Sequence, residues 1–303
     1  MEANWQLAKK KPVLEQRARI VQQIRAFFIS KEFLEVETPH RIPANAPELY
    51  IDAVCSEGWF LHTSPELCMK RLLAAGYERI FQICRCWRSG ELGREHLPEY
   101  SMLEWYRTGC DYHQLMNDCE ALLCHLCKNK QINWQGKTID LTPPWPRLSV
   151  SEAFAKYSPV PLQEALSNNQ FDLIIDRDIE PQLSSNRPLF LYDYPLEQAS
   201  LAQRKSGINN IAERVELYIG SLELANGFSE LTDQNEQKHR FEQEEKLRRH
   251  SGKTPYPTPQ KFLDELPHLP QSAGIALGID RLVMLLSDQT NIENVVSFTP
   301  TEL

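Results

Sequence analysis

The sequence predicts an α+β fold built around a largely antiparallel sheet, and three observations carry that prediction. Residues 213–230 read as two strands around Gly220-Ser221, a pair that signals a tight hairpin. Arg79 to Trp87 and Tyr100 to Arg107 read as a second strand pair, joined by the long charged loop Arg88 to Glu99. Gly274 to Met284 reads as a strand running into a helix, with glycines at the joint.

Taken in order, Leu14 to Phe28 places apolar side chains at Leu14, Ala18, Val21, Ile24, Phe27 and Phe28, an amphipathic helix opening after Pro12. Phe33 to Pro39 reads as a strand ended by proline. Trp59 to His62 is a short strand, and Ser64-Pro65-Glu66 begins a helix with a serine cap and proline at its first position. A helix from Tyr112 to Lys128 follows the second strand pair. Residues 129–188 read as an insertion of short helices separated by prolines and polar turns. Leu189 to Tyr194 returns to strand, the hairpin follows, and a charged helix from Asp233 to His250 leads to the last strand and helix. There is no internal repeat and no low-complexity segment.

At 303 residues the chain can bury roughly 75% of its unfolded surface. No run of eighteen apolar residues suits a membrane span, and the N-terminus lacks an apolar signal core, so a cytoplasmic protein with no membrane partner is expected. All eight cysteines lie between Cys55 and Cys127. Cys84-x-Cys86 and Cys124-x-x-Cys127 each lack the second pair of a structural zinc site, so reduced, partly buried thiols are expected. The formal charge of −8 argues against a dedicated nucleic-acid domain, because phosphate neutralisation needs a basic surface. The basic run Lys238 to Lys253 alternates with acids and reads as a solvated helix face.

The chemistry centres on the hairpin. With a two-residue loop, Glu216 and Glu223 fall on one face as direct or diagonal neighbours. A third acid, Glu230, follows an Asn226-Gly227 break that could bulge the strand and re-aim it to that face. Such a patch suits Mg²⁺ with a cationic substrate; a solvated, charged sheet face is the other reading.

Three separated segments then agree. The helix–strand entry ending at Pro39, the Arg-bearing strand–loop–strand at residues 84–106 and Gly274 to Arg281 resemble, in that order, motifs one, two and three of class II aminoacyl-tRNA synthetases. The likeness is to the lysyl branch: Phe33-Leu-Glu-Val-Glu-Thr-Pro39, His96-Leu-Pro-Glu99-Tyr100-Ser-Met-Leu-Glu104-Trp-Tyr106 and Glu223-Leu-Ala-Asn226-Gly-Phe-Ser-Glu230-Leu. It covers about residues 12–300. The resemblance implies one class II synthetase-like catalytic domain over residues 1–303, an antiparallel sheet flanked by helices, with the insertion at 129–188. It also implies a homodimer formed through motif one.

The resemblance implies roles as well. Arg88 and Arg281 would grip the α- and γ-phosphates of ATP as the catalytic arginines. Ser89, Gly90, Glu91, His96, Leu97, Tyr100, Leu224 and Gly278 would line the nucleotide, with Tyr100 stacking on adenine. Glu216 and Glu223 would hold Mg²⁺, Glu223 also facing ATP. Glu66, Glu104 and Glu230 would share one cavity with Ser64, Pro65, Tyr106, Asn226 and Ala276, a lining that suits a substrate with two ammonium groups. Activation needs no general base, because a substrate carboxylate with a pKa of roughly 3.5 is already ionised. Alignment and charge neutralisation remain, which is work for Arg and Mg²⁺.

Within the lysyl branch, the chain begins almost directly at the motif-one helix, so no anticodon-binding domain is expected and tRNA is not an expected partner. That arrangement resembles the elongation factor P–(R)-β-lysine ligase family, which attaches a β-lysyl group to a lysine of elongation factor P. Ala276, where lysyl-tRNA synthetases have glycine, and Ala199-Ser-Leu-Ala202 resemble that family too. Two positions depart from the pattern: Gly90 stands where motif two has an acid, and Leu97 where an asparagine is expected, which puts ATP affinity in question. A ligase charging tRNA or a small molecule with lysine, and a non-catalytic regulatory paralogue, remain as alternatives.

Overall fold

The computed structural model describes residues 5–183, 186–208 and 210–303. Helix α1 (Trp5–Ser30) begins before its expected start and carries Pro12 inside. Proline forfeits one helical N–H bond; the carbonyl it abandons belongs to Ala8, which is exposed to solvent, and Lys10 ties the segment to Glu302 at 2.8 Å. Of the expected stripe, Ile24, Phe27 and Phe28 are buried and Leu14 and Val21 half-buried, but Ala18 is exposed and Ile20 is buried instead. Glu32, at φ 63, turns the chain into β1 (Leu34–Glu35). The strand expected from Phe33 to Pro39 is therefore only two residues long. Beyond Val36 the chain leaves the sheet through Pro39 and Pro43, which have no N–H to donate.

A small sheet follows, with β2 (Arg41–Ile42) beside β4 (Trp59–Leu61) and β4 beside β3 (Cys55–Ser56). Helix α2 (Glu66–Ala74) starts one residue after the expected position, and the Glu66 N–H donates to Ser64 Oγ at 3.0 Å. Strands β5 (Arg79–Trp87) and β6 (Glu99–Thr108) and helix α3 (Tyr112–Leu126) lie where the sequence puts them.

The insertion differs from expectation. It opens with a hairpin, β7 (Gln131–Trp134) and β8 (Lys137–Asp140), and an edge strand, β9 (Arg147–Ser149), before the helices α4 (Val150–Tyr157), α5 (Leu162–Ser167) and α6 (Phe171–Ile174). The missed signal was Gln135-Gly136, both at positive φ, after a segment whose Ile132 and Trp134 alternate inward.

The remaining elements are β10 (Leu189–Pro195), β11 (Ile211–Ile219), β12 (Leu222–Ser229), α7 (Gln234–His250), α8 (Gln260–Glu265), β13 (Ser272–Gly278) and α9 (Ile279–Leu286). Gly220 and Ser221, at φ 61 and 63, form the two-residue turn between β11 and β12, the double positive φ of a type I′ hairpin.

One sheet of eight strands runs β1-β5-β6-β13-β12-β11-β10-β9, antiparallel through its middle and parallel only at the β1/β5 and β10/β9 edges. Alternation sorts its residues. Phe81, Trp105, Ile275 and Val215 face a core shared with α1, α3 and α9, where each buried Leu or Phe contributes about 1.5–3 kcal/mol. The opposite face carries Gln82, Glu104, Ala276, Asn226 and Glu216 in one register row. The parallel row is Ile80, Tyr106, Gly274, Phe228 and Arg214. Helices α2, α7 and α8 close that side around Leu67, Phe241 and Phe262. Among the described residues, no helix is long and apolar enough to cross a membrane.

Candidate active site

The polar row defines a cleft floor with three chemically distinct parts. At its centre Glu104 is 1% exposed. It accepts from Ser64 Oγ at 2.6 Å and from the Tyr106 hydroxyl at 2.7 Å. Burial, with help from Glu66, pushes its carboxyl up to about 8, against those two hydrogen bonds. Ala276 pairs with Glu104 on one side and Asn226 on the other, so its methyl group sits between them on the pocket face. Gly274 is required beside it: an added Cβ would lie 2.1 Å from the Tyr106 ring and 2.7 Å from Glu230 Oε1.

Glu230, fully buried, and Glu66 meet a cation from the protein itself. Lys70 Nζ lies 2.5 Å from Glu230 and 2.5 Å from Glu66, with its side chain 1% exposed. Burial works against the Lys70 charge, but the two carboxylates outweigh it and hold the ammonium above its ordinary range. Burial likewise pushes Glu230 up, against the pull of Lys70. The acids assigned to this cavity therefore stand together, with only Glu104 free of a cationic partner. Lys70 escaped the sequence reading although Glu66 and Lys70, four apart on one helix face, are the spacing that pairs charges. Glu48, pushed up to about 7 by burial and by Glu66, sits in an irregular segment where no periodicity could have flagged it.

The hairpin supplies the second part. Glu216 and Glu223 do share a face, since Glu216 pairs with Asn226 and Tyr218 with Glu223. The two-residue hairpin register alone achieves this; a bulge at Leu224, where the register shifts, then sets Asn226 opposite Glu216 and gives the residues after it the parity that faces the cleft. Asn226-Gly227 instead continues in regular register with β13, and plain alternation from Asn226 through Phe228 brings Glu230 to the cleft. Glu216 is densely satisfied: Oε1 accepts from Arg214 at 2.6 Å and Asn226 at 3.2 Å, Oε2 from Tyr194 at 2.5 Å and Tyr218 at 2.7 Å. Burial raises its pKa, against Arg214. Burial also works to raise Glu223, but Arg281, Arg214 and Arg88 outweigh it and keep that carboxyl ionised. Glu180, on the Tyr218 hydroxyl at 2.9 Å, is pushed up to about 7 by burial and by Glu223 and Glu216. This crowding fits a divalent cation, with Glu223 the readier ligand; Glu216 would exchange one of its present partners.

The third part is cationic. Arg281, on α9, donates to the Glu223 carbonyl at 2.7 Å, to Glu223 Oε2 at 3.1 Å and to His96 Nε2 at 2.6 Å. Burial and Arg281 push His96 down, so a neutral ring accepts that bond. Arg88 stands 5.3 Å above the Tyr100 ring and 3.6 Å from Glu91. Its buried Nε has no hydrogen-bond partner among the described residues, an orphaned donor suited to an anion. Ser89 donates to the Asp52 carbonyl at 2.6 Å, and Gly90, at φ 80, turns the loop so that Glu91 faces Arg88. Leu97 does not line the cleft with its side chain, which is 3% exposed and packs in the main core, so it reaches a nucleotide only through its backbone. Gly278 caps α9, where an added Cβ would meet only the Arg281 side chain at 3.7 Å. Pro65 opens α2, directing Glu66 toward Lys70.

The eight cysteines are all unpaired, as expected.

Residues 4–302 match the family described as tRNA synthetases class II (D, K and N). The chain is 39% identical over 318 residues to an elongation factor P–(R)-β-lysine ligase of Salmonella gallinarum, covering 98% of each chain. It is 38% identical over 317 residues to the proteins of that name from Salmonella paratyphi B and Salmonella schwarzengrund, again over 98% of each.

Proposed function

The chain belongs to the class II tRNA synthetases of the D, K and N group, and on that footing we propose that it is an elongation factor P–(R)-β-lysine ligase. It couples ATP to two steps. The substrate carboxylate attacks the α-phosphate of ATP and pyrophosphate leaves. The acceptor lysine ε-amine of elongation factor P then attacks the acyl carbon of the adenylate, and AMP leaves. The observation that carries the substrate assignment is Glu104, a buried carboxyl without a cation of its own, set beside Ala276.

Each residue has a task in this reading. Arg88 neutralises the α-phosphate, which its unpartnered Nε favours, and Tyr100 flanks the adenine. Arg281, freed from His96 and Glu223 by the incoming nucleotide, takes the γ-phosphate. Glu223, with Glu216, would hold Mg²⁺, which supplies charge neutralisation to the triphosphate. A carboxylate–ammonium pair at about 4 Å contributes roughly 4 kcal/mol at an effective dielectric of 20 before desolvation. A neutral substrate would leave Glu104 unmatched, so discrimination against it should be large. The protein acts in the cytoplasm, and as a homodimer; the dimer reading is supported by two exposed apolar side chains of motif one, Ile29 on the helix and Leu34 on the strand after it.

The direct test is mass spectrometry of elongation factor P after incubation with the protein, ATP and (R)-β-lysine. A single β-lysyl addition on one lysine is expected; an unmodified acceptor alongside efficient charging of tRNA would overturn the assignment.

Two further outcomes follow from the pocket. Because Glu104 must be ionised to receive an ammonium, kcat/KM for the amino acid should rise up to about tenfold per pH unit and level off near pH 8. Glu104→Gln should abolish that limb, and a limb that survives in the variant would assign it to another group. Ala276→Gly removes the methyl between Glu104 and Asn226 and should move the kcat/KM preference for (R)-β-lysine over α-lysine toward α-lysine by about 10-fold or more. Unchanged preference would show that this methyl does not select the isomer.

A further inference from the structure

A second cluster of donors occupies the same sheet face beyond the acid pocket. Cys84 and Cys86 are two apart on β5 and so project to one side. His62, just after β4, meets them there. Cys84 Sγ and Cys86 Sγ are 3.9 Å apart, and Cys86 Sγ is 4.0 Å from His62 Nε2. The three donor atoms lie within 4.8 Å of one another, and all three residues are buried. A tetrahedral zinc ion with sulfur at about 2.3 Å and imidazole nitrogen at about 2.0 Å spaces its donors roughly 3.5–3.8 Å apart. The cluster therefore needs only a small contraction to close on a metal.

We propose that Cys84, Cys86 and His62 form a binding site for a thiophilic divalent cation of the zinc class, set in the wall of the cleft. The charge balances, because the two thiols release their protons to solvent and two thiolates neutralise the ion, which permits its burial. His62 Nε2 exchanges its 2.7 Å hydrogen bond with the Arg85 carbonyl for the metal. A further polar group stands beside the site: Gln82 lies two residues before Cys84 on the same face, and its buried Oε1 has no partner among the described residues. It supplies either a fourth ligand or the anchor for a coordinated water. Sequence spacing could not have shown this site, since its histidine comes from a different sheet.

The position gives the site a consequence. Cys84 and Cys86 pack with Met102, and Tyr100 and Ala276 lie against that group. Metal in the site would stiffen the wall that Tyr100 and Ala276 present to the cleft. The metal site itself does not depend on which amino acid the cleft accepts.

The test uses the full-length protein, stripped with a chelator and titrated with Zn²⁺ against a chromophoric competitor, with Cd²⁺ as a spectroscopic probe. One tight equivalent per chain and a thiolate-to-cadmium charge-transfer band are expected. Cys84→Ser/Cys86→Ser should weaken binding by about 100-fold or more, whereas Cys55→Ser should leave it unchanged. On the unmodified protein, Zn²⁺ should protect Cys84 and Cys86 from iodoacetamide in a mass-mapped experiment, which keeps the test independent of how the variants fold. Absence of a tight equivalent, or protection confined to other cysteines, would overturn the proposal.

Discussion

Arg88→Ala is expected to lower ATP–pyrophosphate exchange by about 10³-fold while leaving the fold intact, the loss typical of removing a cation from a phosphoryl transition state. Arg88 stands at the end of β5, where its N–H donates to the Pro98 carbonyl at 2.9 Å. Burial works against its charge, but Tyr100, Glu91 and Glu48 hold the guanidinium firmly protonated. Its present ion pair, to Glu91 at 3.6 Å, is long and partly exposed, so its loss should cost at most about 1 kcal/mol of stability. An anion, however, would find an unsatisfied donor waiting. Chemistry and stability therefore separate at this residue: circular dichroism and melting temperature should hardly move while exchange collapses. Exchange that persists would mean the loop from Arg88 to Glu99 does not bind the α-phosphate.

Lys70→Met should do the reverse, destabilising the protein by about 3–5 kcal/mol because it leaves a buried carboxylate without its partner. Glu230 is fully buried and Glu66 half-buried, and both meet Lys70 at 2.5 Å. In the variant the Glu230 pKa would climb further above its unfolded value. A carboxyl raised in the folded state favours folding below its unfolded pKa and loses that contribution as pH rises through the folded one. The deficit should therefore be largest at neutral and alkaline pH and smaller in acid. Lys70→Met/Glu230→Gln should recover part of it, since an amide leaves no charge stranded. Urea unfolding across pH measures both effects, and an unchanged midpoint in Lys70→Met would show that the ion pair contributes nothing to the fold.

The contrast between these two cations explains what could be seen in the sequence. Arg88's place was legible because the strand–loop–strand around it resembles motif two, and its role came with that resemblance. The shared face of Glu216 and Glu223 was legible too, since period-two alternation across a two-residue turn sets it, whereas Asn226 joins the row of Glu104, Ala276 and Glu216 only through the bulge. Partners held by tertiary contact were harder. Lys70 was within reach through its spacing from Glu66, but its pairing with Glu230 spans most of the chain. The bulge was placed at Asn226-Gly227 because glycine is the usual signal, whereas the structure puts it at Leu224, where nothing local marks it. Leu97 read as a nucleotide residue by position in a motif, and only packing shows its side chain turned into the core. The β7–β8 hairpin was overlooked amid prolines although Gln135-Gly136 offered a turn signal. The early start of α1 was hidden because a proline on an exposed turn costs little.

These features converge on one claim, that a cleft with a buried, cation-free Glu104 beside Ala276 activates a β-amino isomer of lysine. ATP–pyrophosphate exchange measured with (R)-β-lysine and with α-lysine under identical conditions tests it most directly. Exchange with both, and a higher kcat/KM for (R)-β-lysine, is expected; preference for α-lysine, or no exchange with either, would contradict this reading of the cleft.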